Sequence, residues 1–296
     1  MAESREQWLE WRRNFIGASD VPRILLGHFG GPHAVWREKL GLDKSEESTE
    51  GQELGLRLEW VIVDMAIEKL GWARPTKRTF QRRYERGHFA ATVDAVLYYP
   101  DGPRILECKT TGRVGDEAKD SWRLQSQMQM YCSGVRRHAV AALGGGFGGL
   151  SFRVWEQQYD EELVNLVLPQ LDAFWELVQS KKPPAWDGSD SADETLRAAY
   201  SASGGEREPN DEEKELLRKY GEALTAASAA KKLKQEVMGA LGNDTAFVGY
   251  CTYKEQKGRT TVDSKKLQAE FPDVYGKVSR TGEPVRVFRW KGGSDE

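Results

Sequence analysis

The stretch TVDAVLYYPDGPRILECKTTG, residues 92–112, constrains this chain more than any other. Two runs of β-branched and aromatic residues flank Pro-Asp-Gly-Pro, a turn signal, so the segment reads as a β-hairpin. Side chains two apart on a strand share a face. Glu107 and Lys109 therefore project together with Ile105, while Leu106 and Cys108 point the other way, into a core. Pairing of the two runs brings Asp94 towards the same end of the sheet, although the sequence leaves the register open. The set has two readings: the wet face of a surface hairpin with an ion pair, or two carboxylates and a lysine gathered for a hard divalent cation.

The flanking segments supply a mixed α/β (α+β) layer around this hairpin. Residues 5–13 read as a short amphipathic helix, followed by IGASDVPRILLG, a helix with Ser19 or Asp20 as N-cap, Pro22 in the first turn and Gly27 as stop. Residues 33–41 and 52–71 read as further helices, the second with apolar residues at Leu54, Leu58, Val61, Ile62 and Met65. Strands are expected over 79–84, 89–99 and 104–110, a helix over 119–134, and a second hairpin around GGGFGG. Residues 160–182 read as a helix kinked or broken at Pro169, since a proline inside a helix costs about 3 kcal/mol. The division expected is a first domain over 1–182, a Pro/Gly/Ser-rich linker over 183–210 with a short helix at ETLRAAY, and an extension over 211–296. That extension reads as a long helix (211–242), a strand at FVGYCTYKEQ, a helix at DSKKLQAEFP and a final strand, VRVFRW.

Three features add weight to the metal-site reading. Glu59 lies mid-helix among apolar residues, where a carboxylate is costly unless paired or bound to a metal. Gln125 and Gln129 share one face of the helix after the hairpin and can hold water or phosphate. RRNFIGASD sets arginine, glycine and a capping serine just before a helix, an arrangement able to bind phosphate.

Together these motifs resemble the YqaJ-type phage recombinase nucleases, relatives of lambda exonuclease in the PD-(D/E)xK superfamily. WRRNFIGASDVPRILLG, GLRLEW, TVDAV with ILECKTTG, and LQSQMQMYCSG occur in that family's order, across roughly residues 5–180. The resemblance implies a restriction-endonuclease-like core, a central mixed sheet flanked by helices. It implies that Asp94 and Glu107 bind Mg²⁺, with Mn²⁺ as a substitute and the Cys108 carbonyl as a further ligand. It implies that Glu59 touches the metal site directly or through water, and that Lys109, helped by Gln125, activates or orients the attacking water. Arg12 and Ser19 would hold a DNA phosphate, with Arg13 as a rival to Arg12. The family's middle residue between Glu and Lys is usually a branched aliphatic; here it is Cys108, a small hydrophobe when buried.

The activity implied is a Mg²⁺-dependent exonuclease on linear double-stranded DNA, 5′→3′, in phage-type recombination. The implied partners are DNA ends, a single-strand annealing protein and further copies of the chain, in a ring. The alternatives are an endonuclease on the same fold and a non-catalytic DNA-binding or assembly module. A net charge of −3 gives no global basic field, so DNA contact would need a local one. Residues 73–87, with Arg74, Lys77, Arg78, Arg82, Arg83 and Arg86, offer it; a solvated loop and edge strand is the competing reading. Lys254, Lys257, Arg259, Lys265 and Lys266 are weaker candidates. Three scattered cysteines argue against disulfides and an iron–sulfur cluster, four histidines without metal spacing against zinc, and GGGFGG without a following Lys-Ser/Thr against a P-loop. With no signal peptide and no apolar run of membrane-spanning length, a soluble cytoplasmic protein is expected.

Overall fold

The computed structural model describes residues 5–43, 49–146, 149–186, 188–200, 206–255 and 263–279. The chain divides into two units, Met1–Tyr200 and Ser201–Glu296. In the first, α1 (Arg5–Arg13), β1 (Ile16–Gly17), α2 (Val21–Leu26), α3 (Gly31–Lys39) and α4 (Glu50–Lys69) precede three strands, β2 (Lys77–Arg86), β3 (Phe89–Tyr99) and β4 (Gly102–Thr111). Then come α5 (Asp120–Ser133), β5 (His138–Gly146), β6 (Gly149–Gln157), α6 (Glu161–Gln179) and α7 (Asp190–Ala199). Thr49 starts α4 with a capping box to Gln52.

The sheet runs β1-β3-β4-β5-β6, with β2 also paired to β3. Its pairings are mixed: β1/β3 and β4/β5 are parallel and the others antiparallel. A parallel pair needs a crossover connection, and α5 is the crossover from β4 to β5. That places α5 over the face carrying Ile105, which packs with Leu124 and Met128. Leu106 joins the opposite layer with Ile62, Val63 and Ala66 of α4, and Cys108 packs against it. The alternation read from the sequence is thus met residue by residue, and the mixed sheet flanked by helices is the architecture expected.

Five expectations change. Helix α6 continues through Pro169, which lies on its exposed side, while Val164, Val167, Leu171, Phe174 and Val178 bury the other. Packing of that apolar face outweighs the proline penalty, and the carbonyl that loses its partner can face water. The first unit reaches Tyr200, not 182, because α7 lies within the stretch read as a linker and packs on α3. Trp186 stacks on His33 with ring centroids 3.4 Å apart. The glycines of GGGFGG are not only a turn: Gly144 pairs with Thr111 in the sheet, and a Cβ there would lie 2.0 Å from the Thr111 carbonyl oxygen. Phe147 and Gly148 lie outside the described residues.

The fourth change concerns Asp20, which holds the N-cap position of α2 without a capping hydrogen bond. Its carboxylate accepts instead from Arg12 Nη2 (2.6 Å), Lys39 Nζ (2.6 Å) and the Gly17 amide (2.9 Å). A Cβ on Gly17 would stand 3.0 Å from the Asp20 oxygen, so glycine permits this close return. Burial alone would raise the Asp20 carboxyl, yet Lys39, Arg12 and Arg23 hold it well below the usual carboxylate range.

In the second unit, α8 (Asp211–Leu241) opens with an Asn210/Glu213 capping box, and α9 (Ser264–Glu270) is capped by Asp263. A last helix, α10 (Pro272–Val278), follows. FVGYCTYKEQ is not one strand: β7 (Ala246–Phe247) and β8 (Cys251–Thr252) form a short hairpin, closed by the Tyr250 amide on the Phe247 carbonyl. VRVFRW, Lys257 and Arg259 lie outside the described residues. Among the described residues no helix is long and apolar enough to cross a membrane.

Replacing Asp20 by Asn would leave Lys39 buried without its counter-charge. The expected loss is about 3–5 kcal/mol of stability, read from urea unfolding. A loss below about 1 kcal/mol would show that the cluster is not holding the N-terminal helices.

Candidate active site

The site forms where β3 and β4 part. Their ladder ends at Ala95↔Leu106, so Asp94 and Glu107 face each other at the first unpaired position. Asp94 Oδ2 accepts from the Cys108 amide (2.7 Å), replacing a ladder bond with a side-chain bond. In an extended strand the N–H and C=O of one residue project to the same edge, so the Cys108 carbonyl opens towards this fork too. Its thiol packs inward, 3.7 Å from the Glu59 carbonyl oxygen. Burial, then Asp94, Glu107 and Glu59, push that thiol far above its ordinary range, which leaves it unreactive.

Glu107 is buried, and both of its oxygens accept hydrogen bonds. Oε1 accepts from Lys109 Nζ (2.7 Å) and Gln125 Nε2 (2.6 Å), and Oε2 from Gln129 Nε2 (2.6 Å). Gln125 Oε1 in turn accepts from Lys109 Nζ (2.8 Å), closing a triangle. Burial by itself would lower Lys109, but Glu107 and Asp94 hold it above the normal lysine range, so it stays charged. Gln129 gives its amide N–H to Glu107, so its oxygen faces His138 Nε2 at 2.6 Å, and that nitrogen must donate. Burial lowers His138 to about 4, leaving it neutral. Gln127, on another side of α5, ties the approach to α6 through the Asp160 amide (2.9 Å) and the Gln158 carbonyl (2.8 Å).

Glu59 reaches the fork from α4. Gln81 donates to both of its oxygens (3.1 and 2.9 Å) and approaches Asp94 Oδ1 (3.5 Å). Gln81 lies opposite Asp94 in the β2/β3 register and has a left-handed backbone, φ 53°. Asp94 is raised well above its usual range by burial first, then by Glu107 and Glu59, against the pull of Lys109. Glu59 is raised as well, by burial and by Glu107. The three carboxylates therefore feel one another. Among the described residues, however, no three His, Cys, Asp or Glu groups are arranged around a single ion position. The oxygens of Glu107 are turned to α5 and those of Glu59 to Gln81.

The other expected phosphate ligands do not join this fork. Arg12 is paired with Asp20 and stacks over Trp8, 4.9 Å from the ring centroid. Ser19 is exposed, and Arg13 pairs with Glu10 at 2.8 Å. Two residues of the site, Gln81 and His138, were not read from the sequence, nor was the anchoring of Glu107 by Gln129. Helical spacing with Gln125 carried a signal for Gln129; the other two depend on register and on a long-range contact.

Residues 7–136 match the family model of the YqaJ-like viral recombinase domain, which bears out the resemblance of the motifs over that span. The chain is 29% identical to the uncharacterized protein YqaJ of Bacillus subtilis over 94% of its own length and 91% of that protein's. Among solved structures it is similar to an alkaline exonuclease from Laribacter hongkongensis, at 16% identity and TM-score 0.46, over 60% of this chain and 94% of that one. It is also similar to a phage-related exonuclease from Haemophilus somnus, at 14% identity and TM-score 0.42, over 56% and 94%.

The depressed His138 predicts an acid sensitivity. Its contribution is present above the unfolded imidazole pKa of about 6.5 and is lost as pH falls towards about 4, on the order of 3 kcal/mol. Chemical unfolding of the wild type and His138→Gln across that range measures it. The wild type should lose more stability on acidification than the variant; parallel losses would contradict a neutral buried imidazole.

Proposed function

We propose that the chain is a divalent-metal-dependent deoxyribonuclease, an exonuclease digesting linear duplex DNA with Mg²⁺ or Mn²⁺. The observation that carries this reading is the fork of Glu59, Asp94 and Glu107 beside a charged Lys109. A viral recombinase domain over residues 7–136 favours DNA as the substrate. The donor chemistry fits a hard cation: all side-chain donors are carboxylate oxygens, and Asp94 and Glu59 are raised by burial and by neighbouring negative charge. Asp94, Glu107 and the Cys108 carbonyl would hold the ion, with Glu59 directly or through water. Once bound, the ion supplies charge neutralisation for a phosphate and a lowered pKa for a water.

The chain's own groups divide the remaining work. Lys109 is charged, so it cannot serve as a base. Its ammonium orients the attacking water and stabilises negative charge growing on the phosphate oxygens. Gln125 and Glu107 fix that ammonium in one place, which removes the entropy of a free lysine side chain. Gln129 and His138 hold Glu107 from behind. The preference for ends, the 5′→3′ direction, the annealing-protein partner and the ring of copies rest on the family resemblance.

Linear and circular duplexes incubated with Mg²⁺, with Mn²⁺ and with chelator test the proposal. Metal-dependent nucleotide release from linear DNA alone is expected, and Lys109→Ala should slow it by about 10²–10³-fold. Cutting of the circle would replace the exonuclease reading with an endonuclease. Intact linear DNA under both metals would remove the nuclease reading.

A further inference from the structure

The basic strand β2 is not used by the chemistry above. It is an edge strand: among the described residues it pairs with β3 alone. Of its charged residues, Lys77, Arg78, Arg82, Arg83 and Arg86 are cations and Glu85 is the one acid, in a chain of net charge −3. Charges protect an edge strand from unwanted pairing. That protection works with either sign, so it does not account for so one-sided a set.

Three of the cations are exposed, and among the described residues none of them has a carboxylate partner: Lys77, Arg82 and Arg86. Aromatic rings hold them instead. Lys77 lies over the Tyr98 ring (5.7 Å), and Arg82 donates to the Tyr98 hydroxyl and lies over Tyr84 (5.2 Å). Arg86 lies over Tyr131 (4.1 Å) and donates to its carbonyl (3.0 Å). A ring under a guanidinium restrains it without neutralising it, and leaves N–H edges for a phosphate. The ribbon also passes the fork at its middle, because Gln81, next to Arg82, bonds Glu59 and approaches Asp94.

We propose that Lys77, Arg82 and Arg86 on β2 form the track that binds the phosphate backbone of the DNA whose end is presented to Asp94 and Glu107. This rests on the nuclease reading, and it names the surface that carries the duplex to the site. The contacts are with phosphates, so they add affinity without sequence preference.

The test is fluorescence anisotropy of a labelled DNA duplex with the full chain in chelator, across a salt series. Each phosphate contact contributes about −0.9 to the slope of log affinity against log salt. Arg82→Gln/Arg86→Gln should weaken binding by about 10–100-fold and flatten the slope by about 2, with an unchanged melting temperature. If that double variant does not fold, Lys77→Gln alone should flatten the slope by about 1. Arg153→Gln, on β6, should leave both affinity and slope as in the wild type. Wild-type binding with an unchanged slope in the folded β2 variants overturns the track and leaves the nuclease reading standing. A wild type that digests linear DNA yet shows a salt-independent affinity also overturns the track, whereas one that neither binds nor digests DNA overturns the nuclease reading itself.

Discussion

A carboxylate buried in a sheet is costly unless each oxygen is met by a donor. Glu107 is met by Lys109 from its own strand and by Gln125 and Gln129 from the crossing helix. Those donors are delivered by the topology itself. Parallel pairing of β4 and β5 requires a crossover, α5 is that crossover, and residues four apart on a helix share a face. The contacts that satisfy Glu107 and those that fasten α5 to the sheet are therefore the same contacts. The half of the fork facing α5 is filled with donors, while the half facing β2 and α4 gathers Asp94 and Glu59 with little positive charge between them. That imbalance is the ground on which a cation is proposed at the fork.

Asp20 and Asp94 show how surroundings divide one residue type between two roles. Asp20 is fully buried and Asp94 partly so. Asp20 is surrounded by Lys39, Arg12 and Arg23 and lies far below the carboxylate range; Asp94 faces Glu107 and Glu59 and lies above it. The first arrangement locks α1, α2 and α3 together. In the second, burial and the neighbouring carboxylates disfavour the ionised form, a perturbation of the kind that clusters at functional sites. Arg12 belongs to the first group, where its guanidinium pairs with Asp20.

Much of the fold was legible because local chemistry and global packing agree. The hairpin's alternation, the Pro22 start and Gly27 stop of α2, and the paired faces of Gln125 and Gln129 all follow from residue types and periods. The rest depended on long-range facts. No local signal sets the β3/β4 register that pairs Asp94 with Glu107, and none places Gln81 opposite Asp94 or His138 beside Gln129. Pro169 misled because its local penalty is smaller than the burial gained along α6. The stretch 183–200 misled because its composition is that of a linker, while Trp186 and α7 pack on the first unit. The similarity to the Bacillus protein covers 94% of the chain and so extends into the second unit, beyond the four motifs.

The proposed function requires Asp94 and Glu107 to hold one hard cation at the fork. Anomalous scattering from crystals of the protein soaked with Mn²⁺ tests it most directly. A manganese peak within ligand distance of both carboxylates is expected, with Gln81 displaced from Asp94, and its loss in Asp94→Asn. Ordered crystals with no peak at the fork, or with a peak bound only by other residues, would contradict it.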